Sequence, residues 1–266
     1  MKPRFYIFCY KGDAELLPGR IDNLRWVFPE APIHLIDDAA NPIPSDCAAS
    51  LAAQGACYEQ TDFPRFGNLN GYYCIRGMLD VYAKHLKMDE VAIKTDADSL
   101  FLNREEVRKV VDSGLGFAAV HVAQYIFGGY FYMIRADVLS FVRQWLPRSG
   151  AVLQGSHEDV TIGCLAYACA TMLNYPCDFL TDHRFGGRTG AFAHRFTGAD
   201  RLAYINKQLD NKAIMLTLGN PGITKEQALT AQQDILECIR KRETTPGPEM
   251  MERSAEDMED GDHGAI

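Results

Sequence analysis

The chain has 266 residues, of which 47% are hydrophobic and 23% charged, so it is long enough to form one α/β domain with a full core. The formal net charge of −8 argues against a nucleic-acid-binding protein, because such proteins need a basic face to meet phosphate. Eight acids and a single base, Arg253, lie from Glu243 onward. The rest of the chain is therefore close to neutral and need not repel an anionic ligand.

The sequence has no apolar run of the roughly 18–20 residues that span a bilayer. The apolar run at residues 5–10 is too short for a signal peptide, and no small-residue cleavage site follows it. The eight cysteines show neither a CxxC pair nor finger-like spacing, which favours buried free thiols in a reducing compartment. We therefore expect a cytoplasmic protein with no transmembrane segment and no nucleic-acid partner.

The first forty residues have the pattern of a parallel βαβ unit. A strand is predicted at residues 5–10, a helix at 16–27 and a second strand at 33–36. Ligands of parallel sheets bind beyond the carboxyl ends of the strands. Lys11–Asp13 and the pair Asp37 and Asp38 would lie at that edge.

The remaining elements follow in chain order. We predict a loop-rich stretch at 41–55, a helix at 70–86, strands at 91–94, 116–122 and 129–134, and helices ending near 145, 173 and 241. Three helices are predicted to begin at capping-box spacing: Asn103 with Glu106, Ser156 with Asp159, and Thr224 with Gln227. The predicted organisation is a domain at 1–242 and an acidic, disordered tail at 243–266.

The most informative motif is Asp96-Ala97-Asp98 directly after the strand at 91–94. Successive side chains of a strand alternate between faces, so two carboxylates two residues apart point the same way. Oxygen ligands at a strand end suit Mg²⁺ or Mn²⁺. Residues 260–262 have the same Asp-x-Asp spacing but no preceding strand, so context distinguishes the two. We predict that Asp96 and Asp98 form a metal site.

A second motif is Glu158-Asp159 in the first turn of a predicted helix. The helix dipole stabilises acids there, so capping alone explains them equally well. The functional interpretation is a general base, Asp159, that the dipole keeps ionised.

Two weaker signals remain. His183 and His194 lie in a stretch rich in glycine, arginine and aromatic residues, and a neutral imidazole could complete a metal shell, although a lone histidine is more often an ordinary residue. Gly128 and Gly129, placed between strands, could permit close approach of a ligand or form only a turn.

Three segments together resemble the GT-A glycosyltransferases, in particular the inverting β1,3-galactosyl- and N-acetylglucosaminyltransferase group that includes Fringe. Residues 94–103 look like that group's K-T-D-D-D-V-F-V-N stretch, with Ala97 in place of the middle acid. Residues 128–137 resemble its glycine-containing strand, and 158–163 are similar to its E-D-V-x-x-G. Order and spacing agree over about residues 5–220.

The resemblance implies a single GT-A (Rossmann-like) α/β domain with a mixed central sheet flanked by helices. It implies transfer of a sugar from a UDP-sugar, with inversion, to a hydroxyl of a glycan, lipid-linked or protein acceptor. Asp159, with Glu158, would be catalytic, and Asp96, Asp98 and His194, with His183 in reserve, would bind Mn²⁺ or Mg²⁺. The residues implied to contact the nucleotide sugar are Tyr10, Lys11, Asp37 or Asp38, Asn68, Lys94, Asp96, Gly128 and Gly129.

Three alternatives share these features. A retaining transferase on the same scaffold would use the region of Asp159 only to orient the donor. A nucleotidyltransferase also holds metal and phosphate with paired acids at strand ends. A degenerate member would bind a sugar or nucleotide without chemistry, although all the polar groups expected of an enzyme are present. The membrane anchor and stem of the Fringe group are absent from the pattern, which favours a bacterial version.

Overall fold

The computed structural model describes residues 1–65, 69–123, 126–149, 157–181, 189–191, 197–218 and 224–244. The strands are β1 Lys2–Cys9, β2 Ile33–Asp38, β3 Cys57–Thr61, β4 Glu90–Thr95, β5 Ser99–Phe101, β6 Phe117–Ala123, β7 Ile126–Arg135, β8 Cys177–Thr181, β9 Thr189–Ala191 and β10 Met215–Thr217. The helices are α1 Leu17–Val27, α2 Ser45–Ala53, α3 Gly71–His85, α4 Arg104–Asp112, α5 Ala136–Ser149, α6 Glu158–Met172, α7 Gly198–Asp210 and α8 Lys225–Thr244.

The main sheet has seven strands in the order β3-β2-β1-β4-β7-β6-β8. Strands β3, β2, β1 and β4 are parallel, whereas β7 runs antiparallel to both β4 and β6. A second sheet has the order β5-β10-β9. The predicted α/β fold with a mixed central sheet flanked by helices is therefore confirmed.

The sheet separates two hydrophobic clusters. Along β1, Phe5, Ile7 and Cys9 belong to one cluster, and Tyr6 and Phe8 belong to the other. The first cluster includes buried residues of α1, α2, α4, α7 and α8, and the second includes those of α3, α5 and α6. A strand covered on both faces reads as a continuous apolar run, which is why β1 was recognisable in the sequence.

The prediction of a loop-rich stretch at 41–55 is wrong. Helix α2 occupies Ser45–Ala53 and buries Ala48 and Leu51, although its small, polar sequence has no strong helical periodicity. Strand β3 follows it at the edge of the sheet and is mostly half-exposed. Polar edge strands lack the apolar pattern by which buried strands are recognised.

Three predicted boundaries shift. Gly128 and Gly129 lie inside β7, not between strands. Helix α6 begins at Glu158 with His157 as its N-cap residue, whereas Ser156 lies outside the described residues. Helix α8 continues to Thr244, and the Trp26 indole N–H donates to Glu243 at 2.5 Å. Glu243 therefore belongs to the folded domain.

The predicted pairs Asn103–Glu106 and Thr224–Gln227 each form at least one of their two capping hydrogen bonds. The Asn103 side chain accepts from the Glu106 backbone N–H at 3.2 Å. Thr224 and Gln227 form the full reciprocal pair, at 2.9 and 3.2 Å. These bonds satisfy N–H groups that the first helical turn leaves unpaired.

All eight cysteines are free thiols, as predicted, although burial varies and Cys57 is exposed. Among the helices of the described part of the chain, none combines the length and apolar character needed to cross a membrane.

Candidate active site

The Asp-x-Asp motif lies where β4 ends. β4 is buried along its whole length between β1 and β7. Beyond Thr95 the chain turns so that Asp96 and Asp98 are partly exposed while Ala97 between them is buried. A backbone hydrogen bond from outside the turn holds it in place: the Asp98 carbonyl accepts from the Leu218 N–H at 2.7 Å. Both carboxylates therefore lie at the carboxyl edge of the sheet, which is the position of the ligand cleft in open α/β sheets.

Lys94, the last but one residue of β4, joins three elements of the site. Its side chain is almost completely buried, and its ammonium contacts Asp96 Oδ1 at 2.6 Å and Glu158 Oε1 at 3.1 Å. It also donates to the Gly129 carbonyl oxygen. Burial alone would lower the pKa of Lys94, but the carboxylates of Asp96 and Glu158 raise it above its ordinary value. All three N–H donors of the ammonium are therefore engaged by protein groups, and the predicted contact of Lys94 with a ligand stays a prediction.

Gly129 gives the acids of α6 room to approach β7. A Cβ atom at this position would lie 3.0 Å from Glu158 Oε1 and 3.4 Å from Asp159 Oδ2. The groups close to Gly129 are protein carboxylates, and the predicted approach of a ligand to this glycine pair stays a prediction. Gly128 lies one residue earlier in β7 and pairs with Val120 in β6.

Glu158 and Asp159 differ in their surroundings although they are adjacent. Glu158 is 6% exposed, and burial raises its pKa against the opposing effect of Lys94. Asp159 is partly exposed, and its Oδ1 accepts from the Val160 N–H at 2.7 Å. Asp159 is therefore the acid of this pair that is open to a ligand.

The start of α6 is held against the start of α3. Asn70 and His157 form an isolated antiparallel bridge, and the Glu158 N–H donates to the Leu69 carbonyl at 3.0 Å. These contacts fix Glu158 and Asp159 relative to the main sheet. The structure thus brings together residues 96–98 and 158–159, two of the three stretches predicted to meet.

Asp13 is an additional carboxylate at this edge, to which the sequence assigned no role. It lies in the single 3₁₀ turn Lys11–Asp13 after β1, and its Oδ2 accepts from the Tyr10 N–H at 3.1 Å. Burial, and then the negative charges of Asp98 and Asp96, raise the pKa of Asp13 to about 7. Its position after a predicted strand was the only available signal.

The site at this edge of the sheet contains more carboxylates than positively charged groups. Burial and the neighbouring Asp96 carboxylate raise the pKa of Asp98 to about 7. Within the described residues no three His, Cys, Asp or Glu side chains are arranged to hold a metal ion by themselves. Mg²⁺, however, is commonly held by one or two carboxylates together with substrate phosphates. The donor set of Asp96 and Asp98 therefore fits a hard divalent cation bound with a phosphorylated ligand.

The two acids at the end of β2, Asp37 and Asp38, differ in burial. Asp37 is completely buried, and its carboxylate accepts from the Tyr58 hydroxyl at 2.6 Å and from the Ile43 N–H at 3.1 Å. Asp38 is partly exposed and accepts from the Ala40 N–H at 3.1 Å. Of the two predicted nucleoside contacts, Asp38 is the accessible one.

Arg65 is another residue that sequence reasoning missed. Its guanidinium donates to the carbonyls of Cys9 at 2.8 Å and Ile36 at 2.7 Å, near the ends of β1 and β2. It therefore ties together the carboxyl ends of two strands that border the cleft.

The remaining predicted site residues are at the rim or outside the described residues. Tyr10 is 45% exposed, and Lys11, also exposed, donates its backbone N–H to the Asn41 carbonyl at 2.8 Å. Asn68, His183 and His194 lie outside the described residues, so their predicted roles stay predictions.

A surface groove of about 510 Å³ lies elsewhere, between β3 and α3. It is lined by residues such as Gln60, Phe63, Tyr73 and Arg76. None of the predicted site residues lines it, and we place the chemistry at the carboxylates beyond β4.

The architecture matches solved structures at low sequence identity. A galactosyltransferase, LgtC, in complex with donor and acceptor sugar analogs aligns with a TM-score of 0.52 and 12% identity, over 92% of this chain and 98% of that one. The chain has a GT-A fold. An active-site mutant of LgtC gives a TM-score of 0.50 with the same identity and coverage.

The glycosyltransferase GlyE of Streptococcus pneumoniae TIGR4 also matches this GT-A chain, with a TM-score of 0.50 and 8% identity. That alignment covers 91% of this chain and 63% of GlyE. No protein-family model and no curated protein matches the sequence. Nothing in these comparisons singles out the Fringe-like group, so that part of the resemblance stays a prediction.

Proposed function

We propose that the chain is a metal-dependent glycosyltransferase that uses a nucleotide-sugar donor. The observation that supports this most directly is the meeting of the Asp96 and Asp98 segment with the α6 acids, through Lys94, at the carboxyl edge of a GT-A sheet. The similarity to LgtC in complex with donor and acceptor sugar analogs supports the same class of reaction.

The proposed donor is a UDP-sugar. Tyr10, Lys11 and Asp38, each exposed or partly exposed near the carboxyl ends of β1 and β2, would contact the nucleoside. Asp96 and Asp98, with His194 or His183, would hold Mn²⁺ or Mg²⁺ against the diphosphate. When bound, such a cation acts as a Lewis acid that neutralises charge on the departing diphosphate.

We assign the proton-accepting role to Asp159. It is the partly exposed acid of the α6 pair and lies in the first turn of that helix. In the Fringe-like mechanism it takes the proton of the acceptor hydroxyl while that oxygen attacks the anomeric carbon and the bond to UDP breaks, with inversion. Glu158, paired with Lys94, holds the start of α6 against β4.

The acceptor is a hydroxyl of a glycan, a lipid-linked sugar or a protein, and the proposed location is the cytoplasm. Acceptor choice depends on the shape of the pocket more than on fold, since one fold hosts many substrates.

The deciding experiment measures UDP release over a panel of UDP-sugars, with and without EDTA. Release that EDTA abolishes and Mn²⁺ restores is the expected result. Pyrophosphate in place of UDP would identify a nucleotidyltransferase. A UDP-sugar that binds without any release of UDP, whatever acceptor is added, would identify a binding protein without chemistry.

Two matched variants separate the roles of the acids. Asp98→Asn is expected to abolish turnover and weaken UDP binding, whereas Asp159→Asn abolishes turnover and leaves UDP binding largely intact. If Asp159→Asn kept the rate within about tenfold, a change of roughly 1.4 kcal/mol in the barrier, the base assignment would be wrong. The anomeric configuration of the product, read by NMR, distinguishes inversion from a retaining reaction in which Asp159 only orients the donor.

A further inference from the structure

Arg20 is a fully buried arginine beneath the Asp-x-Asp turn. It lies in α1 with no exposed surface. Its guanidinium donates to the Thr95 hydroxyl at 2.6 Å and to the Asn23 side-chain oxygen at 2.6 Å. It also lies 4.6 Å above the centre of the Phe101 ring. Burying a charge is costly unless it is paired, yet neither hydrogen bond is to a carboxylate.

Asn23 extends this arrangement to the other side of the turn. Its side chain accepts from the Phe101 N–H at 2.8 Å and donates to the Phe101 carbonyl at 2.9 Å. Helix α1 therefore forms hydrogen bonds with Thr95, just before Asp96, and with Phe101, at the end of β5. The segment with both cleft carboxylates is fixed at its two ends by one helix.

The charge of Arg20 is compensated at longer range. Burial lowers its pKa to about 9, and the negative charges of Asp96 and Asp98 oppose that effect. Arg20 thus stays cationic at neutral pH. Its planar guanidinium can serve two acceptors at once, which a lysine ammonium on a flexible chain does less well.

We propose that Arg20 is a positioning residue for the cation site, because it fixes Thr95 directly and Phe101 through Asn23, and so sets the separation of the Asp96 and Asp98 carboxylates. The inference rests on the proposed metal-dependent function. It adds a buried helix residue to a site that the motif alone would limit to the turn. Residues that orient metal ligands typically change metal affinity by about 10- to 100-fold when altered.

The experiment titrates the full chain with Mn²⁺ alone and follows the EPR signal of the free ion. Arg20→Lys keeps the charge but not the paired hydrogen bonds, and Thr95→Val removes the hydroxyl acceptor with little change in shape. Each should weaken Mn²⁺ binding about 10-fold or more. Thr95→Ser restores the hydroxyl and should restore affinity.

Arg4→Lys is the matched control. Arg4 is a half-buried arginine at the opposite end of β1, where it forms two hydrogen bonds with Glu90 at 2.7 and 2.8 Å. This variant should lower thermal stability and leave Mn²⁺ affinity unchanged. An Arg20→Lys protein that binds Mn²⁺ as tightly as the wild type would overturn the proposal, and Thr95→Val gives the same decision if Arg20→Lys does not fold.

Hydrogen exchange provides a readout that needs no metal. The Phe101 amide donates to Asn23, so Arg20→Lys and Thr95→Val should accelerate exchange in residues 95–101, whereas Arg4→Lys should not. Unchanged exchange in that segment contradicts the positioning role. If the wild type takes up no Mn²⁺ alone, the titration is repeated with UDP present, because the proposed cation is bound together with a phosphorylated ligand. No uptake with UDP would overturn the metal part of the proposed function, and exchange still decides the role of Arg20.

Discussion

Lys94 and Glu158 form a buried ion pair of 3.1 Å that connects β4 to the first turn of α6. Each side chain is less than a tenth exposed. Because Lys94 also contacts Asp96, this one ammonium sets the distance between the motif after β4 and the acids of α6.

Lys94→Met should therefore destabilise the fold severely. It leaves Glu158 buried near Asp96 without a cation, and removing one partner of a buried pair costs about 3–5 kcal/mol. Urea unfolding monitored by circular dichroism measures the change. Lys2→Met is the control, since the Lys2–Asp89 pair is exposed and its loss should have no measurable effect. A loss below about 1 kcal/mol for Lys94→Met would show that the pair is not important for stability.

Gly129→Ala should reduce turnover more than stability. The added methyl would approach Glu158 Oε1 to 3.0 Å and the Asp159 Cβ to 3.3 Å, so these first residues of α6 must shift by a few tenths of an ångström. Small displacements of reacting groups can lower rates up to about 100-fold, and we expect at least a tenfold lower kcat with a modest shift in Tm.

Gly116→Ala is its counterpart outside the cleft. A methyl there would meet Tyr175 Cβ at 2.5 Å and Ala170 Cβ at 3.0 Å, which predicts a loss of about 1–3 kcal/mol through overpacking. The folded fraction should retain its kcat. Equal effects of the two glycine variants on kcat would argue against a specific role for Gly129.

His34 should make stability fall in mild acid. It is 4% exposed; burial, and then His85 and Arg4, lower its pKa from 6.5 to about 4, while Glu59 and Glu90 oppose this. The folded protein thus resists a proton that the unfolded chain accepts below pH 6.5. Stability is full above that pH and declines towards pH 4, by at most about 3 kcal/mol from this group.

The measurement compares wild type with His34→Gln by urea unfolding at pH 7.5, 5.5 and 4.5. Carboxylates contribute equally to both proteins, so the difference between the two pH profiles isolates the histidine. Identical changes in stability between pH 7.5 and 4.5 would mean that His34 is protonated as readily in the folded protein as in the unfolded chain.

Asn103→Ala should lower the free energy of unfolding by about 1 kcal/mol, because it removes the acceptor for the Glu106 N–H at the start of α4. Asn103→Asp keeps an acceptor and should be close to wild type. Chemical denaturation of the three proteins side by side tests the pair, and an alanine variant as stable as the aspartate variant would contradict the capping role.

The sequence predicted those parts of the fold that have strong local patterns. β1 and β4 are buried on both faces and read as apolar runs, and the Asp-x-Asp motif was recognisable because it follows such a run. Helix α2 and strand β3 were not predicted, because too few of their residues are buried to produce a hydrophobic periodicity. In α2 the buried residues are Ala48 and Leu51.

In the candidate site, too, local motifs revealed some residues and not those whose role depends on distant partners. Asp96, Asp98 and Asp159 were found from short motifs. Arg20 and Arg65 were not, since an arginine acquires such a role only through partners far along the chain, such as Thr95 for Arg20 and Cys9 for Arg65. Burial and long-range pairing, which no local pattern encodes, separate these arginines from surface ones.

The groove between β3 and α3 has a practical consequence for inhibitor discovery. A compound chosen for its fit to that concave surface would bind near Phe63 and Tyr73, and none of the acids beyond β4 lines the groove. Under the proposed function, such a compound should fail to compete with a nucleotide, so displacement of a labelled nucleotide scores a screen better than fit to the groove does.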